Sequence, residues 1–157
     1  MAGRSSFNVE TARERIAGLR HLDGPLLPIL QALQQEFGYL DEAVEPLIAD
    51  ALNISRAEVH GVVTFYHDLR REPPGRHVIR LCRAEACQAA GGDALAARAE
   101  AWLGIPLGTT APDGGVTLEP VYCLGLCTTA PAAMVDGRVV GRLDEAGLDA
   151  VLAEAGR

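Results

Sequence analysis

The sequence predicts an α+β chain in two parts, a helical bundle over residues 1–74 and a small α/β domain over residues 75–157. Three observations carry this prediction. Residues 7–72 hold apolar side chains at helical spacing, and Glu72-Pro73-Pro74-Gly75 then interrupts the pattern. Short runs rich in β-branched residues begin only after that interruption.

The composition favours a globular protein that binds neither membrane nor nucleic acid. Of its 157 residues 48% are hydrophobic and 22% charged, and the net charge is −7. No run approaches the roughly 18 apolar residues of a membrane helix, and residues 1–8 contain no apolar stretch typical of a secretory signal. All fourteen basic residues are Arg and form no basic stripe, which argues against nucleic acid. We therefore expect a cytoplasmic location without membrane insertion.

The first three helices of the bundle are predicted from their end signals. Asn8 or Thr11 opens the first helix. The second spans Pro25 to Phe37, with Gly38 just past its end. The third runs from about Asp41 to Leu52. Together they predict a helical bundle over this part of the chain.

A fourth helix has the strongest start signal, the capping box Ser55-Arg56-Ala57-Glu58. His60 and His67 are placed on this helix, where we expect surface or interface positions rather than metal ligands. Phe65 is expected in the core or against a partner. An apolar stripe along the helix serves either the bundle core or a partner protein, and it consists of Val59, Val62, Val63, Tyr66 and Leu69.

The second part predicts the order strand, helix, strand, strand, strand, helix. The first strand, His77–Leu81, leads into Cys82, and the second, Val116–Tyr122, leads into Cys123. Between them a helix follows Gly91-Gly92-Asp93, ends at Gly104 and places Trp102 in the core. The remaining predictions are a type I′ hairpin at Asp136-Gly137 between strands 132–135 and 138–140, and a helix over 144–155.

The four cysteines form two short loops and are the candidate ligands of a cofactor. Cys82-x4-Cys87 and Cys123-x3-Cys127 are separated by 35 residues. Four thiolates are what a [2Fe–2S] cluster requires, two for each iron. Gly125 permits the second loop to turn its N–H groups toward sulfur, and the flanking Leu124 and Leu126 can exclude water.

Spacing alone leaves the metal open. A structural zinc site, and with it a zinc-stapled interaction module, also uses four cysteines at such spacings. Neither pair is Cys-x-x-Cys, which disfavours a thioredoxin-type dithiol, and two disulfides would need an oxidising compartment. The chain has no P-loop and no G-x-G-x-x-G after a strand, so we predict no nucleotide or flavin site and no catalytic residue.

Longer motifs resemble a known family, the thioredoxin-like [2Fe–2S] subunits of NADH-linked dehydrogenases. The similar segments are Cys82-Arg-Ala-Glu-Ala-Cys87-Gln, Cys123-Leu-Gly-Leu-Cys127-Thr-Thr-Ala-Pro131, Val135-Asp-Gly137, Phe37-Gly38-Tyr39-Leu40 and Val59-His-Gly-Val-Val-Thr-Phe-Tyr66. The resemblance covers roughly residues 20–150. It implies a thioredoxin-like domain that binds one [2Fe–2S] cluster through Cys82, Cys87, Cys123 and Cys127.

The resemblance also implies a one-electron carrier that has no activity alone. Its first cysteine loop, Arg-Ala-Glu-Ala followed by Gln88 and Gly91-Gly92, is similar to the gamma subunit of NAD-dependent, molybdenum-containing formate dehydrogenase. The implied partners are a flavoprotein that binds FMN and NAD, and a larger catalytic subunit that holds molybdenum and iron–sulfur centres. The resemblance implies that the helical bundle over residues 1–74 docks on the flavoprotein. Equivalent subunits of respiratory NADH:quinone oxidoreductase or of NAD-linked hydrogenase are the alternatives, as is a free thioredoxin-like ferredoxin.

Overall fold

A computed structural model of the chain describes residues 7–156, and these fall into two compact units that divide between Pro73 and Pro74. The described residues form seven α-helices and one five-stranded mixed sheet, which confirms the predicted α+β class. None of those helices is long and apolar enough to cross a membrane. The predicted lack of a secretory signal concerns residues 1–8, of which 1–6 lie outside the described part.

The first unit contains four helices, α1 (Val9–Leu19), α2 (Leu26–Phe37), α3 (Val44–Leu52) and α4 (Arg56–Phe65). Asn8, rather than Thr11, caps α1, because its side chain accepts a hydrogen bond from the Thr11 N–H. Gly38 ends α2 with a left-handed φ of 84°, as predicted. The third helix begins three residues later than predicted, since Asp41 accepts from the Ala43 N–H in a turn.

Apolar faces of all four helices form the core of this unit. Its fully buried members are Ala12, Ile16, Ile29, Leu30, Leu33, Phe37, Leu40, Val44, Ile48, Ala49, Val59, Val63 and Leu69. The side-chain amide of Gln34 fastens the segment after α4 to this core. Its Nε2 donates to the Asp68 carbonyl and its Oε1 accepts from the Arg70 N–H, each at 2.6 Å.

Glu45 is a buried carboxylate on α3, and its negative charge is compensated by the guanidinium of Arg71. Its Oε1 lies 3.0 Å from Arg71 Nη1 and 3.2 Å from His60 Nδ1, while Arg71 Nη2 also donates to Glu42 at 3.0 Å. A buried charge without such partners would strongly destabilise the fold. His60 therefore belongs to a polar network with Glu45 and Arg71 that joins α3, α4 and the segment after α4.

The fourth helix is shorter than predicted, which changes the predicted stripe. It ends at Phe65, and Tyr66 has extended backbone angles, so Tyr66, His67 and Leu69 lie beyond it. Val59, Val63 and Leu69 are buried in the unit's own core. Phe65 and Tyr66 are instead 75% and 43% exposed and contact each other edge to face, with centroids 5.1 Å apart. His67 is also exposed, and placing it on the helix was wrong.

We expect the capping box to stabilise α4 in a pH-dependent way. Ser55 Oγ accepts from the Glu58 N–H at 3.2 Å, and Glu58 Oε2 accepts from the Ser55 N–H and hydroxyl, each at 2.8 Å. The backbone hydrogen bond from Ser55, aided by its hydroxyl, lowers the pKa of Glu58 below its ordinary value. Ser55→Ala should cost about 1 kcal/mol in the free energy of unfolding.

The same pKa direction fixes the sign of the pH effect. Because the folded pKa of Glu58 is lowered, its contribution is complete above the ordinary glutamate pKa of about 4.3 and is lost as the pH falls through the folded value. Chemical unfolding at neutral and acidic pH measures this, and Glu58→Gln should remove that part of the dependence. An unchanged unfolding midpoint in Ser55→Ala would contradict the assignment.

The second unit is built on one sheet with strand order β2-β3-β1-β4-β5. Its strands are β1 (His77–Cys82), β2 (Thr109–Thr110), β3 (Val116–Val121), β4 (Ala133–Val135) and β5 (Arg138–Val140). Only β1 and β3 pair in parallel, and the other three pairs are antiparallel. Asp136 and Gly137 both have positive φ between β4 and β5, as a type I′ turn requires.

Three helices complete this unit, α5 (Glu85–Ala89), α6 (Gly92–Leu103) and α7 (Glu145–Ala155). Buried residues of α6, α7 and the strands form one core. The predicted element order holds, with α5 and β2 as additions. Placing Trp102 in the core was wrong: its ring packs against Gly156 at the end of α7, which leaves 48% of the residue exposed.

Candidate metal centre

The parallel pair of strands brings the two cysteine loops to one edge of the sheet. His77 lies opposite Val116 at the start of the pairing, and Cys82 lies opposite Val121 at its end. The Arg83 N–H continues the pairing by donating to the Val121 carbonyl at 2.8 Å. Cys82 and Cys123 therefore leave the sheet side by side, because parallel strands end at the same edge.

The first loop contains a helix that the sequence pattern did not reveal. Helix α5 spans five residues, and Cys87 is its third. The Cys87 N–H donates to the Ala84 carbonyl at 2.9 Å, and Gln88 Nε2 donates to the Arg83 carbonyl at 3.0 Å. This single helical turn carries Cys87 back toward Cys82, and both residues are buried, with exposed fractions of 2% and 5%.

The second loop turns through left-handed backbone. Cys123 has a φ of 94° and Gly125 a φ of 75°. The Gly125 N–H points at the Cys123 Sγ, 3.3 Å away, as expected from the sequence. A 3₁₀ turn over Cys127–Thr129 then places the Cys127 Sγ 3.7 Å from the Cys123 Sγ. Positive φ is costly for a residue with a side chain, so the surrounding structure must hold Cys123 in this conformation.

The two loops converge, because Leu124 and Leu126 of the second loop pack against Cys82 and Cys87 of the first. Burial raises the pKa of the Cys82 thiol, but N–H groups of Ala84, Cys123 and Leu124 and the Cys87 thiol donate to its sulfur and bring the pKa below its ordinary value. Two of these N–H groups belong to the second loop. The site therefore favours a thiolate at Cys82, the form in which cysteine binds metal.

The pKa values of the Cys87 and Cys127 thiols are both raised, and neighbouring sulfurs contribute to each rise. Burial raises the pKa of Cys87, and the nearby sulfurs of Cys82 and Cys127 add to the rise, against one N–H from Ala132. The Cys123 sulfur raises the pKa of Cys127. Sulfurs of the two loops therefore influence one another electrostatically, and a bound cation would compensate their negative charge.

The site has an inner pair, Cys82 and Cys87, and an outer pair, Cys123 and Cys127. The inner pair is buried beside Ala132, whereas both residues of the outer pair are exposed. Leu124 and Leu126 pack against the same small cluster and partly cover it, the position expected for them from the sequence. One side of the site therefore excludes water and the other reaches the surface.

The residues present fit a dinuclear cluster. Two sulfurs bound about 2.3 Å from one tetrahedral metal ion lie roughly 3.8 Å apart, and the outer pair is already at 3.7 Å. Among residues 7–156, no three or more His, Cys, Asp or Glu side chains surround a single point as ligands of one ion do. The outer pair thus has the spacing of two ligands on one metal ion, and the four thiols are the number that a [2Fe–2S] cluster requires.

The chain is similar to subunits of several nicotinamide-linked oxidoreductases. A family model described as thioredoxin-like [2Fe–2S] ferredoxin matches residues 12–156. The E subunit of NADH-quinone oxidoreductase from Pseudomonas aeruginosa is 39% identical over 131 residues, which cover 81% of this chain and 79% of the relative. The HndA subunit of NADP-reducing hydrogenase from Solidesulfovibrio fructosivorans is 33% identical over 139 residues, 88% and 81% of the two chains.

A solved structure supports the same assignment. The air-oxidized NAD+-reducing [NiFe]-hydrogenase matches with a TM-score of 0.72 and 28% identity over 83% of this chain. This chain spans only 22% of that hydrogenase chain. The match and the family model confirm the predicted thioredoxin-like fold and the predicted resemblance. The chain belongs to the thioredoxin-like [2Fe–2S] ferredoxin family.

Proposed function

We propose that this chain is an electron-transfer subunit that holds one [2Fe–2S] cluster through Cys82, Cys87, Cys123 and Cys127. The observation that carries the proposal is the convergence of the two loops, in which Leu124 and Leu126 of the second loop pack against the buried Cys82 and Cys87 of the first. Family membership supplies the identity of the cofactor. The site's own residues supply four thiols in two pairs.

When bound, a [2Fe–2S] cluster accepts and donates one electron at a time. The chain's residues set the conditions for this exchange. N–H groups directed at Cys82 and Cys123 stabilise negative charge on their sulfurs, while Leu124 and Leu126 limit the access of water. The exposed outer pair gives electrons a short path to the surface.

The assembly that we propose is an NAD-dependent formate dehydrogenase. The first cysteine loop, Arg83-Ala-Glu-Ala86 with Gln88 and Gly91-Gly92, supports that substrate. The named relatives belong to a quinone oxidoreductase and a hydrogenase, so these are the competing assemblies. The partners would be a flavoprotein with FMN and NAD and a catalytic subunit with molybdenum and iron–sulfur centres.

We assign docking on the flavoprotein to the helical unit. The exposed Phe65 and Tyr66 at the end of α4 support this assignment, because large apolar side chains in contact on a surface favour a protein partner. The four free thiols suit a reducing compartment, in line with a cytoplasmic location.

Metal analysis tests the cofactor directly. Protein purified without air should contain about two irons and two acid-labile sulfides per chain and give a rhombic EPR signal only after reduction. The reason is that four soft thiolates suit either zinc or an iron–sulfur cluster, and the family to which the chain belongs is one of [2Fe–2S] ferredoxins. Stoichiometric zinc without sulfide would contradict the proposal and support a zinc-stapled module.

Co-expression with its neighbouring subunits tests the partner and the substrate. The chain should co-purify with a flavoprotein, and the complete assembly should reduce NAD with formate. Removal of this subunit should weaken or abolish that activity, and the isolated subunit should have none. A chain that stays monomeric would defeat the docking assignment. An assembly active with hydrogen or quinone but inert to formate would overturn the substrate and leave the cluster assignment intact.

A further inference from the structure

Gly92 begins α6 directly behind the first cysteine loop. It is buried, whereas Gly91 and Asp93 on either side are exposed. A Cβ atom placed on Gly92 would lie 2.6 Å from the Cys87 carbonyl oxygen, 3.0 Å from its carbonyl carbon and 3.6 Å from the Cys82 carbonyl oxygen. Separations under 3.0 Å are essentially never found for a real Cβ. Helix α6 therefore starts at a distance from Cys87 that only glycine permits, whereas the separation from the Cys82 carbonyl is ordinary van der Waals contact.

The atoms that a side chain would meet are backbone atoms, which cannot rotate away. For ordinary contact at 3.4 Å, the Cys87 carbonyl oxygen would have to retreat by about 0.8 Å. Cys87 belongs to the single turn of α5, so a displaced carbonyl displaces its sulfur as well. Cys82 is held by its N–H bond to Ala132 and by its register with Val121. The displacement would therefore alter the separation of the inner pair of sulfurs.

Gly91 differs from Gly92 in a way that supplies a matched control. It has a φ of 90°, in the left-handed region, but nothing lies within 4 Å of a Cβ placed on it. Gly92 does not have a left-handed φ, so an alanine at this position would be disfavoured only by its steric clash with the Cys87 carbonyl. Alanine at Gly91 would strain the start of the same helix without contacting the cysteine loop.

We propose that Gly92 is a positioning residue of the cluster site. Its missing side chain lets the first turn of α6 lie against the carbonyl of Cys87, and this contact fixes the position of Cys87 relative to Cys82. The inference rests on the proposed function, because it needs these two cysteines to be ligands. Precise ligand spacing matters, since the surroundings of a metal site tune its affinity and potential.

The test compares full-length wild type, Gly92→Ala and Gly91→Ala, each reconstituted with iron and sulfide without air. The readouts are iron and sulfide content, the g-values of the reduced cluster, the midpoint potential and the unfolding temperature of the metal-free form. Gly92→Ala should lose most of its cluster, or keep it with displaced g-values and a shifted potential. Gly91→Ala should unfold at a lower temperature yet keep the wild-type spectrum and potential.

Each remaining outcome overturns the inference. Gly92→Ala with full iron content, wild-type g-values and wild-type potential would show that the contact does not set the spacing. Equal loss of cluster in both variants would assign the effect to general destabilisation. A metal-free Gly92→Ala chain that fails to fold while Gly91→Ala folds would assign Gly92 to the fold. Wild type that takes up no iron and sulfide would instead defeat the proposed function.

Discussion

Cys82→Ser and Cys87→Ser should remove the cluster almost completely from a chain that still folds. A serine hydroxyl is a harder and far less acidic metal ligand than a cysteine thiol. Both thiols are buried, so no water molecule can reach the metal to take the place of the lost ligand. Changes to residues that merely support metal ligands lower affinity by roughly 10–100-fold, and loss of a buried ligand should exceed that range. Iron and sulfide content, with circular dichroism to confirm folding, measures the effect.

The outer pair should respond less strongly than the inner pair. Cys123 and Cys127 are exposed, so in their serine variants a water molecule from solvent can take the place of the lost thiolate. We expect these variants to retain a cluster fraction with a changed EPR signal. His60→Ala and His67→Ala serve as controls and should retain the wild-type signal. An unaltered signal in serine variants of both loops would mean that the ligands are misassigned, and loss of the cluster in His60→Ala would give that histidine a role at the metal.

Phe37→Ala should destabilise the helical unit by about 3–5 kcal/mol, the cost of a large cavity in a packed core. Phe37 is 2% exposed, and its ring contacts Phe7 edge to face with centroids 5.3 Å apart. Denaturant unfolding followed by circular dichroism measures the change in the free energy of unfolding. The site can relax only in part, because Phe37 lies in a core to which all four helices contribute buried side chains.

Phe65→Ala is the matched control for the cavity. It removes the same aromatic ring from the end of α4, where 75% of the residue is exposed. Its effect should stay within about 0.5 kcal/mol, as for most surface substitutions. Equal destabilisation by the two substitutions would show that the burial of Phe37 is not what stabilises the unit.

Much of the fold could be predicted because its local signals are strong. The capping box at Ser55 and Glu58, the left-handed Gly38 and the Asp136-Gly137 turn each have a short-range physical cause. The helix end that was predicted wrongly, that of α4, depends on residues distant in the sequence. The apolar spacing continues through Tyr66, but the backbone leaves the helix there and the following segment is fastened to Gln34 of α2.

The candidate ligands could be predicted from the sequence, but their surroundings could not. Strand patterns place Cys82 and Cys123 at strand ends without revealing that the strands are neighbours. Helix α5 escaped prediction because five residues are too few to show a helical period. Gly92 of α6 contacts the Cys87 carbonyl of α5, and this contact is visible only in the folded structure. The sequence alone does not distinguish the role of Gly92 from that of Gly91.

The hydrogen bonds of Gln34 have a consequence for recognition. They hold Asp68 and Arg70 in place, and the Arg70 carbonyl also accepts from the Leu40 N–H at 2.7 Å, so the segment after α4 is ordered by the fold itself. Fixing the backbone of one residue costs about 1–2 kcal/mol in conformational entropy. A protein that docks on Phe65 and Tyr66 would find the neighbouring loop already pre-organised, and its affinity would not have to offset that entropy.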